Sequence, residues 1–226
     1  MRLRIVFPSS RAGYPDREVE LRNATLRKFC GPDVELEFVY PPTGGTFKQG
    51  LTWADFQPMI PAFVDAAITA EKDGCDAFMV HCVYDPGVAQ IRTVTKIPCI
   101  GFGQSVFQAA IQIAPRFALI TPNDSLTETA LEILETNGLR DRLAHIEPLN
   151  IELPEAHLRI AELRTRGLDI ARRAKAAGAG VIIPYGLALV PTHLSCEDIH
   201  QAAGVPVLNP AEIGIRTAEM IMAALR

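Results

Sequence analysis

The chain has 226 residues, of which 48% are hydrophobic and 21% charged, the balance of a soluble globular protein long enough for one large or two smaller cores. Its formal net charge of −4, with no basic block, argues against nucleic acid or an anionic membrane as a partner. No apolar run approaches the roughly 18 residues of a membrane span, and the first run stops at Pro8 instead of continuing as a signal peptide, so a cytoplasmic setting is expected.

In chain order, apolar runs alternate with helical patterns. Residues 3–7 read as a strand, 17–30 as an amphipathic helix and 34–40 as a strand, followed by the Gly, Pro and Thr loop 41–46. A helix is expected over 56–73, ending before Gly74, then a strand over 75–82, a short helix over 88–94 and a buried strand over 97–102. The second half continues with a helix at 107–114, a strand at 117–121 and a helix at 126–137 closed by Gly138. Then come a strand at 145–149, a long helix at 158–177, a strand at 181–185, a helix at 195–203, a strand at 205–208 and a closing helix at 211–225. Such alternation predicts an α/β protein with parallel sheets covered on both faces.

An internal repeat organises these elements. Gly74-Cys75-Asp76-Ala77-Phe78-Met79-Val80-His81-Cys82 aligns without a gap on Gly178-Ala179-Gly180-Val181-Ile182-Ile183-Pro184-Tyr185-Gly186. In each half, a turn, a helix and a further apolar strand follow (97–101 and 205–209). A period of about 105 residues is too long for a solenoid. It predicts two pseudo-symmetric Rossmann-like domains, 1–104 plus 208–226 and 105–207, with the active site in the cleft between them.

Cys82 is the leading site candidate. It ends an apolar strand and opens the turn Val83-Tyr84-Asp85-Pro86-Gly87, and in open α/β sheets ligands bind beyond the carboxyl ends of strands. A thiol near a helix N-terminus is expected to have a lowered pKa. The matching position of the second copy is Gly186. His81, pointing to the opposite face by strand alternation, is read as a packing or hydrogen-bonding residue. Pro8-Ser9-Ser10 and Thr121-Pro122-Asn123-Asp124-Ser125 each follow a strand and are read as capping or anion-holding turns, with a lean to binding. Tyr84 and Tyr185 flank the two equivalent loops as proton donors or walls. The five cysteines (Cys30, Cys75, Cys82, Cys99 and Cys196) form no C-x-x-C pair, so neither a metal site nor a disulfide is expected. Gly101-Phe102-Gly103-Gln104-Ser105 lacks the third glycine of a dinucleotide fingerprint, and there is no P-loop or G-x-S-x-G elbow.

Several of these stretches together resemble the aspartate/glutamate racemase superfamily, and most of all its hydantoin racemase branch. They are Gly44-Gly45-Thr46-Phe47, the segment from Gly74 to Gly87 with its Cys-x-x-Asp-Pro-Gly, Ile97-Pro98-Cys99-Ile100-Gly101-Phe102-Gly103, and Gly204-Val205-Pro206-Val207. The resemblance implies an isomerase with two α/β domains, a small-molecule substrate, homo-oligomers, and chemistry without metal, pyridoxal phosphate or flavin. It also implies two cysteines that exchange protons on opposite faces of a carbon acid. Cys82 fills the first of those places. Gly186 stands in the second, in Tyr185-Gly186-Leu187-Ala188 where the family has Gly-Cys-Ala-Gly, and Pro8-Ser9-Ser10 replaces the family's Asn-Pro-Asn-Ser/Thr pattern.

A two-thiol racemase therefore cannot be written with these residues. The expected activity is a cofactor-independent, cysteine-dependent reaction on a small carboxylate or cyclic amide of the hydantoin kind, through an enolate-like intermediate. Cys82 is catalytic and Tyr185 is the nearest second proton carrier. Pro8, Ser9, Ser10, Val83, Tyr84, Thr121, Gly186 and Leu187 contact substrate. Arylmalonate decarboxylase, a relative with glycine at the first position and cysteine at the second, is the mirror-image precedent for a one-sided reaction. The alternatives are a lyase, decarboxylase or hydrolase using Cys82 as single acid/base or covalent nucleophile, and a non-catalytic binding protein that kept the cleft.

Overall fold

The computed structural model describes residues 1–225, which divide into two compact units. The first unit comprises Met1–Phe47, Ala54–Ser105 and the chain from Ala211 onward; the second comprises Lys48–Trp53 and Val106–Pro210.

In the first unit β1 (Arg2–Val6) lies between β2 (Glu35–Val39) and β3 (Ala77–Val80), all parallel, in the order β2-β1-β3. β3 is buried throughout, as a near-continuous apolar run in a covered parallel sheet should be. Helices α1 (Asp16–Lys28), α2 (Ile60–Lys72) and α3 (Val88–Val94) belong to this unit. Gly44, Gly74 and Gly87 take positive φ at its turns, where a Cβ would be strained. The amino ends of the strands carry an ion cluster. Arg4 donates to Glu37 from Nε (2.8 Å) and Nη2 (2.6 Å), and its Nη1 pairs with Asp73 at 2.8 Å. Hydrogen bonds from Arg4 hold the Glu37 carboxyl below its ordinary pKa.

The second unit repeats the plan. β4 (Phe117–Thr121) lies between β5 (Leu143–Pro148) and β6 (Val181–Pro184), all parallel, in the order β5-β4-β6. Helix α5 (Asp124–Thr136) starts on Asn123, whose side chain accepts the Leu126 N–H, a standard N-cap. Helices α6 (Ile160–Ala176) and α7 (Cys196–Ala203) complete it, and its core joins Ala118, Ile120, Leu163, Ile170, Ile182 and Ile199. The duplication read from the sequence holds at the level of individual hydrogen bonds. His81 N–H donates to Val6 O at 2.8 Å and Tyr185 N–H to Ile120 O at 2.7 Å. Asp85 N–H donates to Cys82 O at 3.2 Å and Leu189 N–H to Gly186 O at 3.1 Å.

Two expected strands are corrected. Only Cys99 of 97–102 and Val207 of 205–208 pair with the sheets, as single bridges to Phe78 and Ile182. Helix α4 (Phe102–Ile113) begins five residues before the expected 107, because the Asp85 carboxylate accepts the N–H groups of Gly103 (3.1 Å) and Gln104 (2.8 Å) and caps it there. The closing helix α8 (Pro210–Ala224) passes so close to the Phe102 ring that a Cβ on Gly214 would lie 2.3 Å from it.

Candidate active site

The sequence-predicted residues gather in two groups, one at the carboxyl edge of each sheet. In the first unit Pro8, Ser9 and Ser10 follow β1, while Cys82, Val83 and Tyr84 follow its neighbour β3. In the second, Thr121 ends β4, and Tyr185, Gly186 and Leu187 follow β6.

Cys82 is 7% exposed, between buried His81 and Val83. The Tyr84 backbone N–H donates to its sulfur. The expected lowering of the thiol pKa is overturned. Burial pushes it far above the ordinary range, the nearby Asp85 charge adds to that, and the Tyr84 N–H only partly opposes it. The thiol is therefore held protonated. His81 is stacked on Phe7 at 4.4 Å and meets Phe102 edge-on at 5.9 Å. Burial lowers its pKa to about 3, with a further push from Arg22, so it is neutral.

The turn after β1 is internally committed. Ser9 is fully buried, and its Oγ accepts the Thr46 N–H at 2.5 Å and lies 3.0 Å from the Thr46 hydroxyl. Ser10 N–H donates to Gly44 O at 3.1 Å. Thr46 was missed from sequence, because it lies 37 residues from Ser9 and only the folded loop joins them. In the second unit Thr121 is fully buried and shares a hydrogen bond with the Thr127 hydroxyl. Asn123 donates to Leu51 O at 2.9 Å, tying the 48–53 segment down beside a small cavity lined by Pro122, Ile151 and Leu189.

The Tyr185 ring is fully buried and stacked on Phe107 at 5.1 Å, interplanar angle 26°. Gly186 is closed in by Pro122: a Cβ there would sit 2.9 Å from its Cγ and 3.4 Å from its Cδ. A side chain at position 186 would therefore require the Pro122 ring to shift. Among the described residues no group of three His, Cys, Asp or Glu side chains could hold a metal ion, and no helix is long and apolar enough to cross a membrane.

A profile of the Asp/Glu/Hydantoin racemase family matches residues 19–218. The chain belongs to that family. It is similar to the hydantoin racemase of Rhizobium meliloti, at 26% identity over 174 residues (76% of this chain, 70% of that protein). The hydantoin racemase of Pseudomonas sp. (strain NS671) is 27% identical over 196 residues (84% and 75%). Among solved structures, allantoin racemase from Klebsiella pneumoniae superposes with a TM-score of 0.84 at 19% identity, covering 99% of this chain and 88% of that one. Family membership makes this chain a racemase-type enzyme.

Proposed function

We propose that this enzyme handles a carbon-bound proton on one face only, with Cys82 as its single thiol acid/base and a small cyclic amide of the hydantoin class, or a small carboxylate, as substrate. The observation that carries the reading is the asymmetry of the two strand ends, a thiol after β3 and a glycine packed under Pro122 after β6. In the exchange reaction Cys82 first loses its proton to solvent, and burial makes this thiolate a minor form. The thiolate takes the proton as the Cα–H bond breaks, and the electron pair enters the adjacent carbonyl as an enolate. The same sulfur then returns a proton to the face it left. Strict racemisation requires a second carrier behind the carbon. The enclosed, ring-stacked Tyr185 is a poor one, since tyrosine ionises only near pH 10 even when unperturbed.

Burial keeps the Cys82 thiol in its proton-bearing form, the form needed to protonate a carbanion far more basic than itself. This supports chemistry in which a carbanion is generated by other means, such as decarboxylation or isomerisation, and is quenched on one face. The deciding experiment is proton NMR in deuterium oxide with 5-substituted hydantoins, amino acids, maleate and arylmalonates, run beside Cys82→Ala. Deuterium at one α-position with optical purity kept, and a silent variant, is the expected result. Both enantiomers from a pure substrate would overturn one-sidedness. A covalent adduct on Cys82 in a mass spectrum, without exchange, would move the enzyme to nucleophilic chemistry.

A further inference from the structure

We infer that Asp85 is a positioning residue for Cys82, clasping the thiol-bearing turn to the start of α4, and that Gly101 is glycine because that carboxylate needs the space. The inference rests on the reading of Cys82 as the acid/base. Asp85 adopts φ +50, a left-handed conformation that a non-glycine residue holds only when its surroundings enforce it. Its carboxylate accepts Gly103 N–H at 3.1 Å and Gln104 N–H at 2.8 Å, across 18 and 19 residues of chain. Its own N–H donates to Cys82 O at 3.2 Å. One residue thus holds both the thiol's turn and the helix end. A Cβ on Gly101 would lie 2.4 Å from Asp85 Oδ2 and 2.8 Å from Oδ1, so any side chain there displaces the clasp.

The second copy supplies an internal control. The position hydrogen-bonded as Asp85 is there is Leu189, 2% exposed in an apolar core, and the carbonyl its N–H meets is that of Gly186. The clasp accompanies the thiol and is absent where the thiol is absent. Titratable or charged groups around Asp85 are Cys82 and Tyr84 on its own turn, Arg92 on α3 and Cys99 on the bridging segment; the first turn of α4 brings only amides. Desolvation, outweighing those amides and Arg92, raises the Asp85 carboxyl to about 7.

The test compares Asp85→Asn, Asp85→Ala and Gly101→Ala with wild type and Cys82→Ser, each checked for folding by thermal melt. Two readouts are used: kcat and KM for α-exchange, and iodoacetamide labelling of Cys82 followed by peptide mass spectrometry. Asp85→Ala and Gly101→Ala are expected to lower kcat by about tenfold or more with KM little changed, as misplacement of a reacting group does. Asp85→Asn keeps one of the two acceptor oxygens and puts an NH2 donor in place of the other, so kcat should fall at every pH, by less than in Asp85→Ala, and the wild-type inflection near pH 7 should be lost. It should also speed Cys82 labelling several-fold while Cys30 labelling is unchanged. If folded Asp85→Asn and Gly101→Ala keep wild-type kcat, inflection and labelling, the positioning role is wrong. Should Asp85→Ala fail to fold, those two variants decide. Full activity in Cys82→Ser would instead sink the acid/base reading itself.

Discussion

The two halves of this protein share a backbone plan down to matching hydrogen bonds and differ in what that plan presents. After β3 come His81, Cys82 and Asp85: a neutral imidazole between aromatic rings, a buried thiol and a capping carboxylate. After β6 come Tyr185, Gly186 and Leu189: a stacked ring, a glycine under a proline and a core leucine. Cys82, Tyr84 and Asp85 have the inert counterparts Gly186, Ala188 and Leu189, and His81 alone is matched by an ionisable residue, the ring-stacked Tyr185. The lesson is that a duplicated fold can present different side chains at its two sets of strand ends while both sheets keep the same order and pairing.

The largest test of that asymmetry removes its active member. Cys82→Ala is expected to lower α-exchange by about 10²–10⁴-fold, the usual worth of a positioned acid/base, as measured by deuterium incorporation; a loss below tenfold would break the comparison. The reciprocal change, Gly186→Cys, tries to restore symmetry. Because Pro122 Cγ lies 2.9 Å from the required Cβ, the variant should lose about 1–3 kcal/mol of stability to overpacking and still give no racemisation by chiral chromatography. Gly186→Cys combined with Pro122→Ala should relieve the strain in the melt. Racemisation from Gly186→Cys alone would mean that Pro122 yields easily.

The titrating groups of the first turn should also mark stability. Folding lowers the His81 pKa from 6.5 to about 3, so the unfolded chain binds the extra proton between those values. That contribution is full above 6.5 and is lost as pH falls towards 3. Asp85 is raised from 3.8 to about 7, so its contribution runs the other way and is lost as pH rises through 7. Between about pH 5 and 6 the two nearly cancel. In Asp85→Asn the stability should therefore gain a slope of about 1.4 kcal/mol per pH unit, rising with pH, relative to wild type, measurable by urea unfolding. An unchanged slope would mean that Asp85 is ionised in the folded protein at pH 5. The smallest effect is expected at Tyr185→Phe. The stacked ring is kept, so kcat should change by less than about threefold while loss of the hydroxyl costs about 0.5–1.5 kcal/mol. A large fall in kcat would restore Tyr185 as a second proton carrier.

Much of this was legible before folding. Period-3.6 and continuous apolar runs placed the helices and six strands, and the gapless alignment of 74–82 on 178–186 placed Cys82 opposite its glycine counterpart in the repeat. The segments 97–102 and 205–208 misled because a short apolar run beside proline reads as a buried strand whether one residue pairs or five. The early start of α4 was hidden because its cap, Asp85, lies 18 residues upstream of Gly103. The thiol's pKa was misjudged because a helix end is visible in sequence and burial is not. Cys82 and its turn were therefore readable as a location, whereas its protonation state needed the fold.

Of the two outer strands in each sheet, β3 and β6 meet a single bridge on their far side, while β2 and β5 pair with no further strand among the described residues, and bare strand edges invite other chains to add on. Here Glu37 on β2 is bound by Arg2 and Arg4, and Glu147 on β5 by His145 and Arg173. Charged side chains on an edge strand make it a poorer template for an added strand. A protein built twice carries this aggregation hazard twice, and both margins are guarded by a carboxylate held between two basic side chains.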